Sequence, residues 1–273
     1  MTDQQTRYDR IAVGYARWWA PVLAPTAVRV LELVEPVIAA GGRRLLDVGT
    51  GTATLPIAAI RRWPNVDVTG IDASSGMAAA ARAEADRALS RAERERFRTA
   101  TAFADELPFE DQTFDAAVSS FVLQLVPSRH AVLRDVFRVL RPGARFAHVT
   151  WVVAHRAFAP DGALDAALDL AGIGAREPEV RTGDYASVAA AAAALRRAGF
   201  RNVTAEAYEL VHRFDPVSYQ GFVQEFDEED TFEGMDRATR RRVEVDLRER
   251  LQALPADAFT MRLPVVFAAG TRP

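Results

Sequence analysis

The segment from Arg44 to Trp63 restricts the possible folds more than any other part of the chain. Arg44–Val48 is a short, mainly apolar run typical of a buried strand, and Leu55 to Trp63 has the spacing of a helix. Gly49 and Gly51 lie between them, where the backbone can turn sharply and approach a ligand at the start of the helix. A strand, a glycine turn and a helix in this order indicate an alternating α/β fold.

The rest of the chain continues this alternation. Further strands are predicted at 66–71, 97–102, 114–120, 145–151, 201–211 and 259–271. Further helices are predicted at 74–91, 132–140, 162–171 and 186–198. The pattern predicts a Rossmann-like, doubly wound sheet of seven mostly parallel strands with helices on both faces.

A length of 273 residues favours a single domain with additions to its core. The α/β core is predicted at 41–212 and 257–273. An N-terminal helical cap is predicted at 1–40, and an inserted helical cap at 213–256, because about forty residues between two strands require structure of their own.

Two local features of these caps carry expectations of their own. Tyr8 to Ala20 has helical spacing, and Pro21 and Pro25 are predicted to interrupt the helix. In the insertion, the acidic run Asp227 to Asp230 is predicted to be a solvated loop. The aromatic residues of the same segment are candidates for lining a substrate pocket.

Composition excludes several functions. All 34 basic residues are Arg, so a Schiff-base lysine and the lysine of a P-loop are both impossible. The chain has no cysteine, which excludes thiolate nucleophiles and sulfur metal ligands, and no metal site is predicted.

Charge and hydropathy indicate the expected partners and location of the protein. A net charge of −3 provides no broad cationic surface, so nucleic acid is not an expected partner. No apolar run approaches the ~20 residues of a membrane span, and the polar N-terminus lacks the apolar segment of a secretory signal. We therefore expect a cytoplasmic protein that acts on a small molecule, in an oligomeric state that the sequence leaves open.

Two carboxylates are associated with the glycine turn, one just before it and one at the end of the next predicted strand. Asp72 ends the second predicted strand about twenty residues beyond the turn, where a carboxylate can accept hydrogen bonds from both hydroxyls of an adenosine ribose. Asp47 precedes the turn and would repel a pyrophosphate, and Thr54 stands where a dinucleotide fingerprint requires a third small residue. Both features disfavour a nicotinamide dinucleotide.

From about Tyr8 to Trp151 the chain resembles the class I S-adenosylmethionine-dependent methyltransferases. The matching pieces, in order, are DVGTGTA, GIDAS, ADELPF, FDAAVSSFVLQLV and VLRPGARFAHVTW. The resemblance is strongest to the bacterial branch that includes ubiquinone and menaquinone biosynthesis enzymes and natural-product methyltransferases. It implies transfer of a methyl group from S-adenosylmethionine to an oxygen, nitrogen or carbon of a small, partly apolar molecule. A non-methyl-transfer reaction on the same fold, or a non-catalytic binding or regulatory protein, remains as the alternative.

The resemblance also implies a cofactor site. Around the methionine part it places Tyr15, Asp47, Gly49, Thr50 and Gly51, with Tyr15 closing over the carboxylate. It places Asp72 at the ribose. At the adenine and along the following loops it places Ala73, Met77, Phe103, Ala104, Asp105, Phe121 and Gln124.

The chain departs from the family pattern at two positions. Phe103 replaces a residue that is often acidic, so Asp105 or a backbone amide must recognise the adenine amino group. Gln124 replaces a residue that is often His, and a neutral amide hydrogen-bonds but does not titrate. If the acceptor requires a general base, His155, just past the fifth predicted strand, is the catalytic candidate. His148 and His212 are further candidates, and His130 is predicted on an exposed helix.

Overall fold

The computed structural model describes residues 3–154, 157–174 and 183–273, and a single sheet dominates these ranges. Its seven strands are β1 (Arg44–Val48), β2 (Asp67–Asp72), β3 (Phe97–Thr101), β4 (Phe114–Ser120), β5 (Leu140–Trp151), β6 (Arg201–Arg213) and β7 (Thr260–Thr271). The spatial order is β3-β2-β1-β4-β5-β7-β6. Strands β1 to β5 pair in parallel, and β7 runs antiparallel to both β5 and β6. The predicted seven-stranded, mostly parallel sheet is confirmed.

The helices of the described ranges alternate with the strands. They are α1 (Asp3–Gly14), α2 (Ala20–Val28), α3 (Glu35–Ala39), α4 (Thr54–Arg62), α5 (Ser75–Ala88), α6 (Arg91–Arg94), α7 (Arg129–Val139), α8 (Ala159–Leu170), α9 (Val188–Arg197), α10 (Pro216–Phe222), α11 (Glu229–Glu233) and α12 (Arg237–Ala253). Every one of them is too short or too polar to traverse a bilayer.

Each face of the sheet buries its own apolar core. Successive strand residues point to opposite faces, so Leu45 belongs to one buried cluster, whereas Leu46 and Val48 belong to the other. The spatial order reverses at β1, which lies between β2 and β4. Such a reversal leaves a crevice at the carboxyl ends of the strands, where ligands of open α/β sheets bind.

The prediction that Pro21 and Pro25 interrupt the N-terminal helix is wrong. A π-helical turn, Tyr15–Trp19, follows α1 directly, and the Ala20 N–H donates to the carbonyl of Tyr15. Pro21 then lies in the first turn of α2, where its missing N–H is tolerated, and α2 continues through Pro25. The change in the hydrogen-bonding pattern therefore occurs in the π-helical turn, before Pro21, and the helix continues past both prolines.

The N-terminal helix is held on the core by its own Asp9 carboxylate, which accepts from donors at the start of α5. Asp9 Oδ1 accepts hydrogen bonds from the Ser74 hydroxyl at 2.6 Å and from the Gly76 N–H at 2.8 Å. These donors, Ser74 first, lower the pKa of the Asp9 carboxyl. A Cβ at Gly76 would lie 3.1 Å from the Asp9 backbone, so the glycine permits the close approach of the two helices.

The insertion between β6 and β7 packs against the same N-terminal segment. Its π-helical turn, Val223–Asp227, contacts α1 so closely that a Cβ at Gly14 would overlap the Glu225 carbonyl. Arg17 forms an ion pair with Glu225 at 3.0 Å, and Trp18 Nε1 donates to the same carboxylate at 2.7 Å. The division into a core and two caps remains a prediction.

The prediction of a solvated loop for the acidic run is wrong. Glu229 and Asp230 lie in α11, and Arg10 forms ion pairs with them at 3.1 and 2.5 Å. The Glu229 side chain is only 13% exposed. The acidic run therefore joins the insertion to α1.

The close packing of the insertion against α1 can be tested with a matched pair of glycines in helices. We expect Gly14→Ala to lower the free energy of unfolding by about 1–3 kcal/mol, because the new methyl group overlaps a backbone carbonyl. We expect Gly162→Ala, in α8 with open space around it, to raise that free energy by about 0.5–1 kcal/mol. Denaturant unfolding measures both, and equal effects would contradict the close contact.

Candidate functional site

A cavity of about 580 Å³ opens at the carboxyl ends of β1, β2 and β4. Most of the cofactor-binding residues predicted from the sequence line it together. They are Tyr15, Gly49, Gly51, Asp72, Ala73, Met77, Phe103, Ala104, Asp105, Phe121 and Gln124. The crevice expected from the order of the strands is therefore the place where these residues meet.

Asp72 joins the two loops on which the cavity is built. Its Oδ2 accepts from the Gly51 N–H at 2.9 Å, and its Oδ1 accepts from the Ser74 N–H at 3.0 Å. Burial raises the pKa of the carboxyl, and the two backbone donors oppose that effect. The carboxylate is consequently held in one orientation at the end of β2, and its oxygens retain lone pairs for further donors.

The glycine turn is shaped by contact with the loop that follows β4. Gly49 has a φ of +74°, and a Cβ there would lie 2.2 Å from the Val122 side chain. Gly51 has a φ of +51°, a conformation that L side chains rarely adopt. The backbone of the turn therefore forms the cavity wall directly.

Asp47 and Thr50 do not line the large cavity. Asp47 is 1% exposed beneath the glycine turn, and its Oδ1 has no hydrogen-bond partner among the described residues. Burial, with a smaller contribution from the charge of Asp72, raises the pKa of the Asp47 carboxyl to about 7. Thr50 lines a smaller neighbouring pocket together with Tyr15, Gly49 and Gly51.

The opposite part of the cavity wall is aromatic. The rings of Phe121 and Trp151 lie 4.4 Å apart, and Trp19 stacks on Phe226 at 6.0 Å. Tyr15 contacts Phe226 edge-on at 5.8 Å, so it lies between the glycine turn and this aromatic wall. The cavity thus combines a polar end with an apolar end in one continuous space.

The candidate bases are not assembled at this site. His155 lies outside the described residues. His148 is fully buried on β5, and burial, with the nearby charge of Arg129, lowers its pKa to about 3. Of the described histidines, His130, His148 and His212 all lie away from the cavity lining. The prediction that His148 or His212 serves as a base is not supported by their positions.

Several lining residues carry no signal that identifies them in the sequence. Asp184 precedes an isolated β-bridge at Tyr185, and Phe226 and Asp227 come from the insertion, whose only signal was its aromatic content. The pair Trp18 and Trp19 has helical spacing alone, yet only Trp19 reaches the cavity. The remaining lining residues include Arg7, Tyr8, Ser74, Glu106, Ser120, Val122, Leu125 and Trp151.

Known proteins match this chain in sequence. The methyltransferase domain family matches residues 45–143. The chain is 35% identical over 149 residues to the ubiquinone/menaquinone biosynthesis C-methyltransferase UbiE of Geobacter sulfurreducens, covering 53% of each chain. It is 31% identical over 185 residues to the malonyl-[acyl-carrier protein] O-methyltransferase of the same organism, covering 64% of this chain and 63% of that one. The chain therefore spans between half and two thirds of the length of these relatives.

Solved structures match the fold. The phosphoethanolamine N-methyltransferase 2 of Haemonchus contortus, in complex with S-adenosyl-L-methionine, superposes with a TM-score of 0.58 at 16% identity, covering 100% of this chain and 61% of that chain. The [4+2]-cyclase SpnF superposes with a TM-score of 0.52 at 22% identity, covering 88% and 80%. Residues 45–143 therefore match a methyltransferase domain, and the sheet with its surrounding helices has the fold of these solved structures.

Proposed function

We propose that the protein transfers the methyl group of S-adenosylmethionine to a small, partly apolar molecule. The observation that carries this proposal is the continuity of the cavity from the glycine turn and Asp72 to the aromatic wall of Trp19, Phe121 and Trp151. A cofactor at the polar end and an acceptor at the apolar end would share one space. The curated relatives are methyltransferases by name, which favours methyl transfer over the non-catalytic alternative.

The adenosine end of the cavity fits the cofactor. Asp72, fixed by two backbone donors, would accept from the ribose hydroxyls. Ala73 and Met77 would border the adenine, and Phe103 supplies an exposed aromatic face to that end. Ala104 and Asp105 follow on the same loop, where a carboxylate or a backbone amide would meet the adenine amino group.

The methionine end fits it as well. The walls at Gly49 and Gly51 are bare backbone, so a ligand can approach the peptide groups there. Asp47 has a buried oxygen without a donor beside this turn, which suits a ligand that brings an ammonium or sulfonium charge. Thr50 would support the turn from the smaller pocket, and Tyr15 would cover the methionine part.

The described residues contribute chiefly alignment. S-adenosylmethionine, when bound, supplies a methyl group already activated by a positively charged sulfur. Orienting a nucleophile behind that methyl group can contribute ~7–11 kcal/mol to the rate. The aromatic wall excludes water and stacks on an apolar acceptor, and aromatic faces also favour a neighbouring cation. Cytoplasmic location, and the expectation that nucleic acid and membranes are not partners, remain predictions from charge and hydropathy.

The ribose site can be tested with two aspartates at opposite ends of β2. We expect Asp72→Ala to weaken S-adenosylmethionine binding by about ten- to a hundredfold, because each charged hydrogen bond is worth about 1.5–3 kcal/mol. Asp67→Ala removes an exposed carboxylate at the other end of the strand and should leave the affinity unchanged. Titration calorimetry measures both, and equal affinities would remove Asp72 from the ribose site.

The buried carboxyl of Asp47 predicts a pH dependence. Its pKa in the folded protein, about 7, lies above the unfolded value of about 4, so the folded state binds this proton more tightly. The contribution of Asp47 to stability is therefore greatest below pH 4, falls as the pH rises between about 4 and 7, and stays low above that range. Asp47→Asn carries no such charge. We therefore expect the cofactor-free variant to have a higher melting temperature than the wild type at pH 8 and nearly the same melting temperature at pH 4.

Asp47→Asn should also weaken binding of the cationic cofactor at pH 8. It should weaken binding of S-adenosylhomocysteine, the product with a neutral sulfur, to a smaller extent. Thermal melting at the two pH values and calorimetry with both compounds measure these effects. Asp67→Asn, at an exposed position, serves as the control. A variant that melts below the wild type at pH 8 would contradict the buried-charge explanation.

A further inference from the structure

Gln124 stands at the cavity wall with a fixed side-chain amide. Its Nε2 donates to the Phe121 carbonyl at 2.6 Å, and its Oε1 accepts from the Thr150 hydroxyl at 2.5 Å. A carbonyl oxygen can only accept, so the contact with Phe121 requires the amide nitrogen on that side. The oxygen then faces Thr150, which must donate. Both contacts together define a single orientation of the amide.

The backbone around Gln124 is held equally firmly. Phe121 has a φ of +56°, an unusual conformation for a residue other than glycine, and its N–H donates to the Val149 carbonyl at 2.8 Å. Gly183 packs so closely that a Cβ there would overlap the Gln124 carbonyl. Arg129 donates to the carbonyls of Leu123 and Gly183 and joins the two loops. Strained backbone of this kind is typical of ligand sites.

The two hydrogen bonds leave the Gln124 amide able to donate one more. One of its two N–H groups is used by Phe121, and the second has no hydrogen-bond partner among the described residues. Donation by Thr150 to Oε1 polarises the amide, which strengthens the remaining N–H as a donor. Thr150 is fully buried and does not line the cavity, so it can act on a ligand only through Gln124.

We propose that Thr150 is a positioning residue that holds Gln124 as a hydrogen-bond donor to the methyl acceptor. The acceptor is accordingly an apolar molecule with a carbonyl, enolate or phenolate oxygen at or beside the methylated atom. The aromatic wall of Trp19, Phe121 and Trp151 packs on its carbon skeleton. This inference rests on the proposed methyl transfer and names the substrate class for it. Donation to that oxygen lowers the pKa of an enol or phenol on the acceptor, so that the nucleophilic anion forms by loss of its proton to water before methyl transfer, without a titrating side chain at position 124.

The test uses two probes of the same shape. 2-Acetylnaphthalene carries a carbonyl oxygen, and 2-isopropenylnaphthalene has a CH2 group in its place. Binding is followed by quenching of tryptophan fluorescence, since Trp19 and Trp151 line the cavity. The protein is saturated with S-adenosylhomocysteine, whose own binding is measured first by calorimetry. We expect the wild type to bind the ketone roughly two- to tenfold more tightly than the alkene, as one hydrogen bond implies.

Variants separate positioning from general structure. We expect Thr150→Val, of matched volume, to abolish the preference for the ketone, and Thr150→Ser to restore it. Gln124→Leu should abolish the preference too, and adding Thr150→Val to it should change nothing further, because Thr150 acts through Gln124. Thermal melting checks that each variant is folded.

The outcomes distinguish this inference from the proposed function. If S-adenosylhomocysteine and S-adenosylmethionine both fail to bind the wild type, the proposed function fails. If they bind, but the wild type shows no preference for the ketone or binds neither probe, this inference alone is overturned. An unchanged preference in Thr150→Val, or tighter binding of 1-(2-naphthyl)ethylamine than of the ketone, also overturns it.

Discussion

The hydrogen bond from the Gly51 N–H to Asp72 is the contact on which the site depends. It joins the turn after β1 to the end of β2, two adjacent parallel strands. A second donor, the N–H of Ser74, holds the other carboxylate oxygen and links it to the start of α5. Because Asp9 caps that same helix start through Ser74, the N-terminal helix is positioned by the same group of residues. The polar end of the cavity, its floor and part of its cover thus form one connected network.

The cover of the cavity is built from segments far apart in the chain. The turns Tyr15–Trp19 and Val223–Asp227 are both π-helical and lie against each other beside the aromatic wall. π-helical turns inside helices are frequent at functional sites, because the extra residue changes the direction in which side chains point. Ion pairs of Arg10 and Arg17 join the N-terminal segment to the insertion at its surface. Surface pairs of this kind contribute little stability singly, so the aromatic packing beneath them carries most of the contact.

Burial of charge is concentrated where the cofactor is proposed to bind. Asp47 and Asp72, at the ends of two adjacent strands, both have pKa values raised by burial. A buried, charged carboxylate with an oxygen that lacks a donor, as Asp47 Oδ1 does among the described residues, destabilises the folded protein unless a ligand compensates it. His148, by contrast, is buried as a neutral ring away from the cavity and takes part in packing.

The sequence alone determined the order of strands and helices, the glycine turn and the position of Asp72 at a strand end. These features depend on local periodicity and on residues with distinctive backbone preferences, so they can be predicted without knowing what packs against them. Tertiary structure decided that Trp19 and Phe226 share a wall, that the acidic run pairs with Arg10, and that Thr150 orients Gln124. Periodicity reports which face of an element is buried, but it does not report which distant element covers that face. The side chains that meet across the cavity are therefore set by the packing of the whole chain.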